Sequence, residues 1–89
     1  MTDNFVAHNI DPTKIRFTQS ARRHRIGKAR ALYVLENYQP LVTTNSKGVE
    51  QRFRWVGRDR QNLELEIIAV MTPAYLLVIH VMPNRYRRR

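Results

Sequence analysis

The sequence predicts an α+β fold in which two N-terminal helices pack on an antiparallel β-sheet meander. Before Pro40 the apolar residues recur at helical spacing, and after it they recur mainly at a spacing of two. Clusters of turn-forming residues separate the later apolar runs, as they do between consecutive strands. Helices followed by a series of strands are typical of an α+β domain.

The chain has the length of one domain, residues 1–89. Residues 1–13 are polar and mixed, which indicates a lead-in segment. Residues 15–18 alternate between apolar and polar and fit a short strand. Residues 83–89 form a basic C-terminal tail that begins at a proline, a residue that ends strands.

The helical part of the prediction has a clear start and stop. Thr18 is a suitable N-cap for a first helix that runs to Arg25, and Gly27 marks its end. Apolar residues on one face then predict a second helix over 28–37. Pro40 lies just beyond the point at which this helix has to stop.

Four apolar runs after the helices predict the strands of the sheet, at 41–44, 49–55, 63–71 and 75–82. In the second run Phe53 and Trp55 alternate with Arg52 and Arg54, so one face of the strand is apolar and the other basic. The last run is apolar on both faces, which favours a central strand.

The apolar faces also predict how the strands pair. Trp55 and Leu65 have to face one core, because a one-residue slip would expose one of them. A five-residue loop over 58–62 sets Trp55 opposite Leu65 and Arg54 opposite Glu66. If the next turn has three residues, Glu66 also lies opposite His80. A two-residue turn would move His80 to the other face.

Charge predicts the class of partner. The chain has 16 Lys and Arg against 7 Asp and Glu, a formal net charge of +9. Most of the cations are Arg, whose planar fork binds phosphate oxygens through two hydrogen bonds. A small domain with this imbalance is expected to act on a polyanion, and RNA is the favoured one.

Other residue types limit the chemistry. The chain contains no Cys, so disulfides, thiolate zinc sites and thiol catalysis are excluded. The carboxylates are scattered and the glycines few, so neither a metal site nor a nucleotide-binding loop is expected. We expect no cofactor and no metal. Without a membrane-spanning run or a signal peptide, the protein is expected to be soluble and cytoplasmic, with no membrane partner.

Metal-independent RNA cleavage needs a base, a cationic clamp for the phosphate and an acid for the leaving oxygen. The candidates are Arg54 and Arg85 as clamps, and His24, Lys28, His80 and Tyr86 as proton carriers. Further RNA contacts are expected from Arg22, Arg23, Arg25, Arg30, Arg52, Arg87 and Arg88. The structural alternative is a cross-strand ion pair of Arg54 with Glu66, beside a histidine that has no role in catalysis.

Several segments resemble a known family. The segments 15–23, 25–27 and 34–37 resemble the opening of small domains related to the BrnT toxins. The segments 52–57 and 65–70 resemble the strand pair of the same domains. The resemblance covers most of residues 15–82, although Ser20 stands where many relatives carry His.

The resemblance implies a RelE-like fold and the toxin of a bacterial type II toxin–antitoxin pair, an mRNA interferase. It also implies that Arg54 and, more loosely, Arg85 are the functional arginines. The leading hypothesis is a metal-independent RNA endonuclease neutralised by an acidic antitoxin. The alternatives are a non-catalytic RNA- or DNA-binding module, and a RelE/ParE-fold toxin that acts on a protein.

Overall fold

The computed structural model describes residues 12–22, 25–44 and 51–84. These residues contain one α-helix and five β-strands. The elements are β1 (Ile15–Phe17), α1 (Lys28–Asn37), β2 (Leu41–Thr44), β3 (Gln51–Arg58), β4 (Glu64–Met71) and β5 (Leu76–Pro83). Short 3₁₀ turns lie on either side of β1, at Pro12–Lys14 and Ser20–Arg22.

The five strands form one mixed sheet in the order β1-β5-β4-β3-β2. Strands β2 to β5 follow one another as an antiparallel meander. Strand β1 pairs in parallel with β5, with Ile15 opposite Leu76 and Phe17 opposite Val78. The last strand of the meander therefore lies inside the sheet, with a neighbour on each side.

The prediction of two N-terminal helices on an antiparallel sheet, and with it the RelE-like fold that the resemblance implies, is wrong in two respects. Helix α1 coincides with the predicted second helix, but the predicted first helix is a single 3₁₀ turn at Ser20–Arg22. The hydroxyl of Thr18 does accept the N–H of Ala21, at 3.2 Å, as an N-cap would. Arg25, however, has a φ of 58°, which no right-handed helix can include.

The charge of this segment gives a physical reason. Cations three and four residues apart in a helix repel one another, and the segment 22–25 has no acidic residue to offset them. The sheet was also mispredicted as wholly antiparallel. The alternation of Ile15 and Phe17 indicates a strand, but a strand of three residues carries no sign of its partner or its direction.

The hydrophobic core lies between α1 and one face of the sheet. Helix α1 contributes Ala31, Val34 and Leu35, all of which are fully buried. The sheet side of the core consists of Phe53, Trp55, Leu65, Ile67, Ala69, Leu76, Val78 and Val81. The opposite face of the sheet, here called the outer face, carries the polar residues of β3 and β4.

The pairing of β3 with β4 differs from the prediction by two residues. Trp55 lies opposite Ile67, not Leu65, and Arg54 lies opposite Ile68, not Glu66. The predicted faces are correct, because a shift of two preserves them. The loop covers residues 59–63 instead of 58–62, so both of its ends lie one position further along the chain.

A β-bulge in β5 determines the face on which His80 lies. Ala69 pairs with Val78, whereas the preceding residue of β4 pairs with His80, so Ile79 is an extra residue in β5. The turn before β5 has four residues, 72–75, and neither predicted turn length was correct. With this turn and no bulge, His80 would face the core.

Candidate functional site

The outer face brings together the charged residues of three strands. Its basic side chains on β3 are Arg52, Arg54 and Arg58, and it also carries Glu64, Glu66 and His80. Sequence alternation places these residues on one face because their strand neighbours are buried in the core. Most of the predicted sheet residues are therefore on one surface.

Glu66 is the centre of this surface. Its Oε2 accepts a hydrogen bond from Nε of Arg54 at 2.6 Å, and its Oε1 lies 3.1 Å from Nε2 of His80. We call these three residues the Glu66 centre. The predicted polar row across three strands is present, although both partners reach Glu66 diagonally and not from directly opposite positions.

Exposure differs sharply within the Glu66 centre. The side chain of Glu66 is 2% exposed, whereas those of Arg54 and His80 are 32% and 33% exposed. Burying a carboxylate away from water costs free energy unless charged or hydrogen-bonding groups surround it. Among the described residues Arg54 and His80 are two such groups, and each keeps about a third of its side chain open to solvent.

The geometry fixes which atoms remain available. An ionised carboxylate can only accept, and the guanidinium at 2.6 Å favours the ionised form of Glu66, so Nε2 of His80 carries a proton. In a neutral imidazole, Nδ1 is then the acceptor. Within the described part of the chain nothing hydrogen-bonds this Nδ1, nor the Nη groups of Arg54. Glu66 therefore positions both a proton acceptor, Nδ1 of His80, and two hydrogen-bond donors, the Nη groups of Arg54.

Other predicted site residues have different surroundings. Nε of Arg30 donates to Oδ2 of Asp59 at 2.7 Å, so this arginine fastens α1 to the β3–β4 loop. Arg22 and Lys28 line a cavity beside β1, away from the Glu66 centre. Arg25 is exposed. The predicted residues Arg23, His24, Arg85, Tyr86, Arg87 and Arg88 lie outside the described residues.

Asp59 is a buried carboxylate to which sequence reasoning gave no role. Its Oδ1 accepts the backbone N–H groups of Gln61 and Leu63, at 2.8 and 3.0 Å. Burial by itself raises the pKa of Asp59, but these bonds and Arg30 outweigh it and hold the pKa below its usual value of 3.8. An Asp at the start of a polar loop is the local signal for such a turn.

Two absences apply to the described residues alone. Their His, Asp and Glu side chains form no group of three that could hold a metal ion. Their helix is too short to cross a membrane.

No family model, curated protein or solved structure matches this chain. Its activity therefore has to be inferred from its own residues and their geometry.

Proposed function

We propose that this protein is a metal-independent RNA endonuclease that acts on the outer face of its sheet, and that it is a toxin restrained by an acidic partner. One observation carries the proposal. A carboxylate that is 2% exposed holds Nε of Arg54 and Nε2 of His80, and each of these two side chains keeps about a third of its surface exposed.

The chemistry follows from the free atoms. Nδ1 of His80 accepts the proton of a ribose 2′-hydroxyl, whose oxygen then attacks the adjacent phosphorus. The Nη groups of Arg54 hold the phosphate oxygens, on which negative charge builds up. The bond from phosphorus to the 5′-oxygen breaks, and water protonates that oxygen. The products are a 2′,3′-cyclic phosphate and a 5′-hydroxyl.

Charge supports RNA as the substrate and an acidic protein as the partner. With a net charge of +9, the protein attracts polyanions at long range, and Arg52 and Arg58 extend the basic surface along β3. An acidic partner that covered this surface would displace the RNA and leave the fold unchanged.

The test is cleavage of single-stranded RNA by the purified protein in the presence of EDTA. The expected products are fragments with 2′,3′-cyclic phosphate ends, and RNA with 2′-O-methyl ribose at the cut position should resist cleavage. Arg54→Gln and His80→Asn should each lower the rate by about 10²-fold or more. Arg60→Gln is the matched control, because it removes one charge from a residue that contacts Tyr33 and does not belong to the Glu66 centre.

Two results would count against the proposal. Cleavage that persists unchanged in both variants would remove the activity from the Glu66 centre. Binding of RNA by the wild-type protein without any cleavage would favour a non-catalytic binding module. In cells, growth arrest on expression that disappears with His80→Asn would support the assignment as a toxin.

A further inference from the structure

A second basic site lies at the β1 edge of the sheet. A cavity of about 280 Å³ is lined there by Thr13, Ile15, Arg16, Phe17, Arg22 and Lys28. We call it the β1 cavity. Three of the six described residues that line it are cations, and none of the six is acidic. Its volume is just below the range of ligand pockets, about 300–1,000 Å³, so it suits a small group.

The cations of the β1 cavity have no acidic partner among the described residues. The ion pairs of that part of the chain involve Arg30, Arg54 and His80, and none involves Arg16, Arg22 or Lys28. Like charges held close together repel one another. A bound anion removes this repulsion, and an empty cavity does not.

Aromatic rings hold two of these cations in place. The guanidinium carbon of Arg16 lies 5.1 Å from the centre of the Tyr75 ring, and Nζ of Lys28 lies 5.8 Å from that of Phe17. A cation–π contact fixes the position of a charge without using its N–H groups. The two side chains are therefore positioned while their hydrogen-bond donors stay available.

Helix α1 adds to the positive potential. It begins at Lys28, which lines the cavity, and its first turn has no acidic residue and no side-chain cap. The N-terminus of a helix carries a partial positive charge that an acidic residue normally offsets. Here the first helical residue is Lys28, whose charge adds to that of the helix N-terminus. The cavity therefore favours an anionic ligand over a cationic or neutral one.

We infer that the β1 cavity is a second phosphate-binding site, which holds one phosphate of an RNA strand bound at the Glu66 centre. The choice of RNA as the source of the phosphate rests on the proposed function. Arg16 connects the two sites, because it lines the cavity and lies on the strand next to β5, which carries His80. An RNA strand that crosses the β1 edge of the sheet would then be bound both at the Glu66 centre and in the β1 cavity.

The experiment has two arms. In the first, inorganic phosphate is titrated into the ¹⁵N-labelled protein, and the amide shifts are expected to change around residues 13–17 and 27–29. In the second, binding of single-stranded oligouridylate is measured against salt for Arg16→Gln, Arg22→Gln and Lys28→Gln. Each variant should lose affinity and flatten the slope of log K against log salt by about 0.7.

Arg60→Gln is the matched control. Its guanidinium carbon lies 4.9 Å from the centre of the Tyr33 ring, so it has the same kind of ring contact and no place in the β1 cavity. It should leave the salt slope unchanged. Circular dichroism of each variant verifies the fold, and three separate substitutions ensure that one unfolded variant does not decide the result.

The outcomes separate the two proposals. Salt slopes that stay unchanged in all three variants would overturn the inference, even if RNA cleavage occurs. Phosphate shifts at residues 13–17 with an unchanged RNA slope would show that the cavity takes free phosphate and not the strand, which also overturns it. If the three variants flatten the salt slope but the wild-type protein does not cleave RNA, the second phosphate site is supported and the proposed nuclease activity is rejected.

Discussion

Arg54 and His80 lie on opposite sides of the same residue, Ile68, one on each strand that neighbours β4. Both then reach along the sheet to the carboxylate of Glu66, two positions before Ile68. A single acidic side chain of the central strand thereby sets the orientation of a cation and an imidazole from different strands.

The first prediction concerns Glu66 as a positioning residue. Glu66→Gln should slow RNA cleavage by on the order of 10²-fold, because His80 and Arg54 lose the charge that orients them. The ¹⁵N shifts of the His80 ring should also change, from a single Nε2–H tautomer to a mixture. Thermal unfolding of the variant serves as the control. An unchanged tautomer would contradict the positioning role.

A second prediction concerns the β-bulge. Deleting Ile79 should remove the bulge and leave Val78 and His80 in their pairs with Ala69 and Ile68, so His80 should stay on the outer face and cleavage should persist. Ile79→Ala should retain the bulge, which is a feature of the backbone, and so retain most of the activity. Loss of cleavage in a folded deletion variant would contradict the assignment of Ile79 as the extra residue of β5.

The third prediction concerns Asp59 and acid stability. Asp59→Asn should lower the free energy of unfolding at neutral pH by about 1–3 kcal/mol, because it removes the charge that meets Arg30. The pKa of Asp59 is lowered in the folded state, so its contribution is present above the unfolded value and lost as pH falls through the lower folded value.

The difference between wild type and Asp59→Asn should therefore shrink as the pH falls below 3.8. Urea unfolding followed by the fluorescence of Trp55, the single tryptophan, measures it at each pH. Glu36→Gln, which changes an exposed carboxylate on α1, is the control and should show no such convergence. A constant difference down to low pH would disprove the assignment.

The fourth prediction concerns the contact of Tyr38 with Gly57. A Cβ at Gly57 would lie 2.5 Å from ring carbon Cδ1 of Tyr38, so the ring would have to move. Gly57→Ala should cost about 1–3 kcal/mol of unfolding free energy. In a Tyr38→Ala background the same substitution should cost much less, and a double-mutant cycle measures the coupling. Additive effects would show that the ring does not oppose the new methyl group.

Much of the Glu66 centre could be predicted from alternation alone. Because Phe53 and Trp55 have to be buried, Arg54 has to lie on the other face, and the same reasoning applies to Glu66 on β4. Alternation repeats every two residues, so it could not exclude a register shifted by two. The shift came from the carboxylate of Asp59, whose turn fixes the end of β3.

The face of His80 could not be predicted in the same way. Tyr75 to Met82 is apolar on both sides, so its pattern does not reveal an extra residue in β5. The predicted helix ending at Arg25 failed for a different reason. Thr18 does accept a backbone N–H as an N-cap would, but the turn that follows it is a single one. An N-cap stabilises the start of a helix and does not determine how far the helix continues.

The parallel pairing of β1 with β5 also has a consequence for synthesis. The paired residues Ile15 and Leu76 are about 60 residues apart in the chain, and contacts between distant segments form late in folding. A nascent chain that has reached β4 already contains Arg54 and Glu66, but not His80. The Glu66 centre therefore cannot assemble until β5 has left the ribosome.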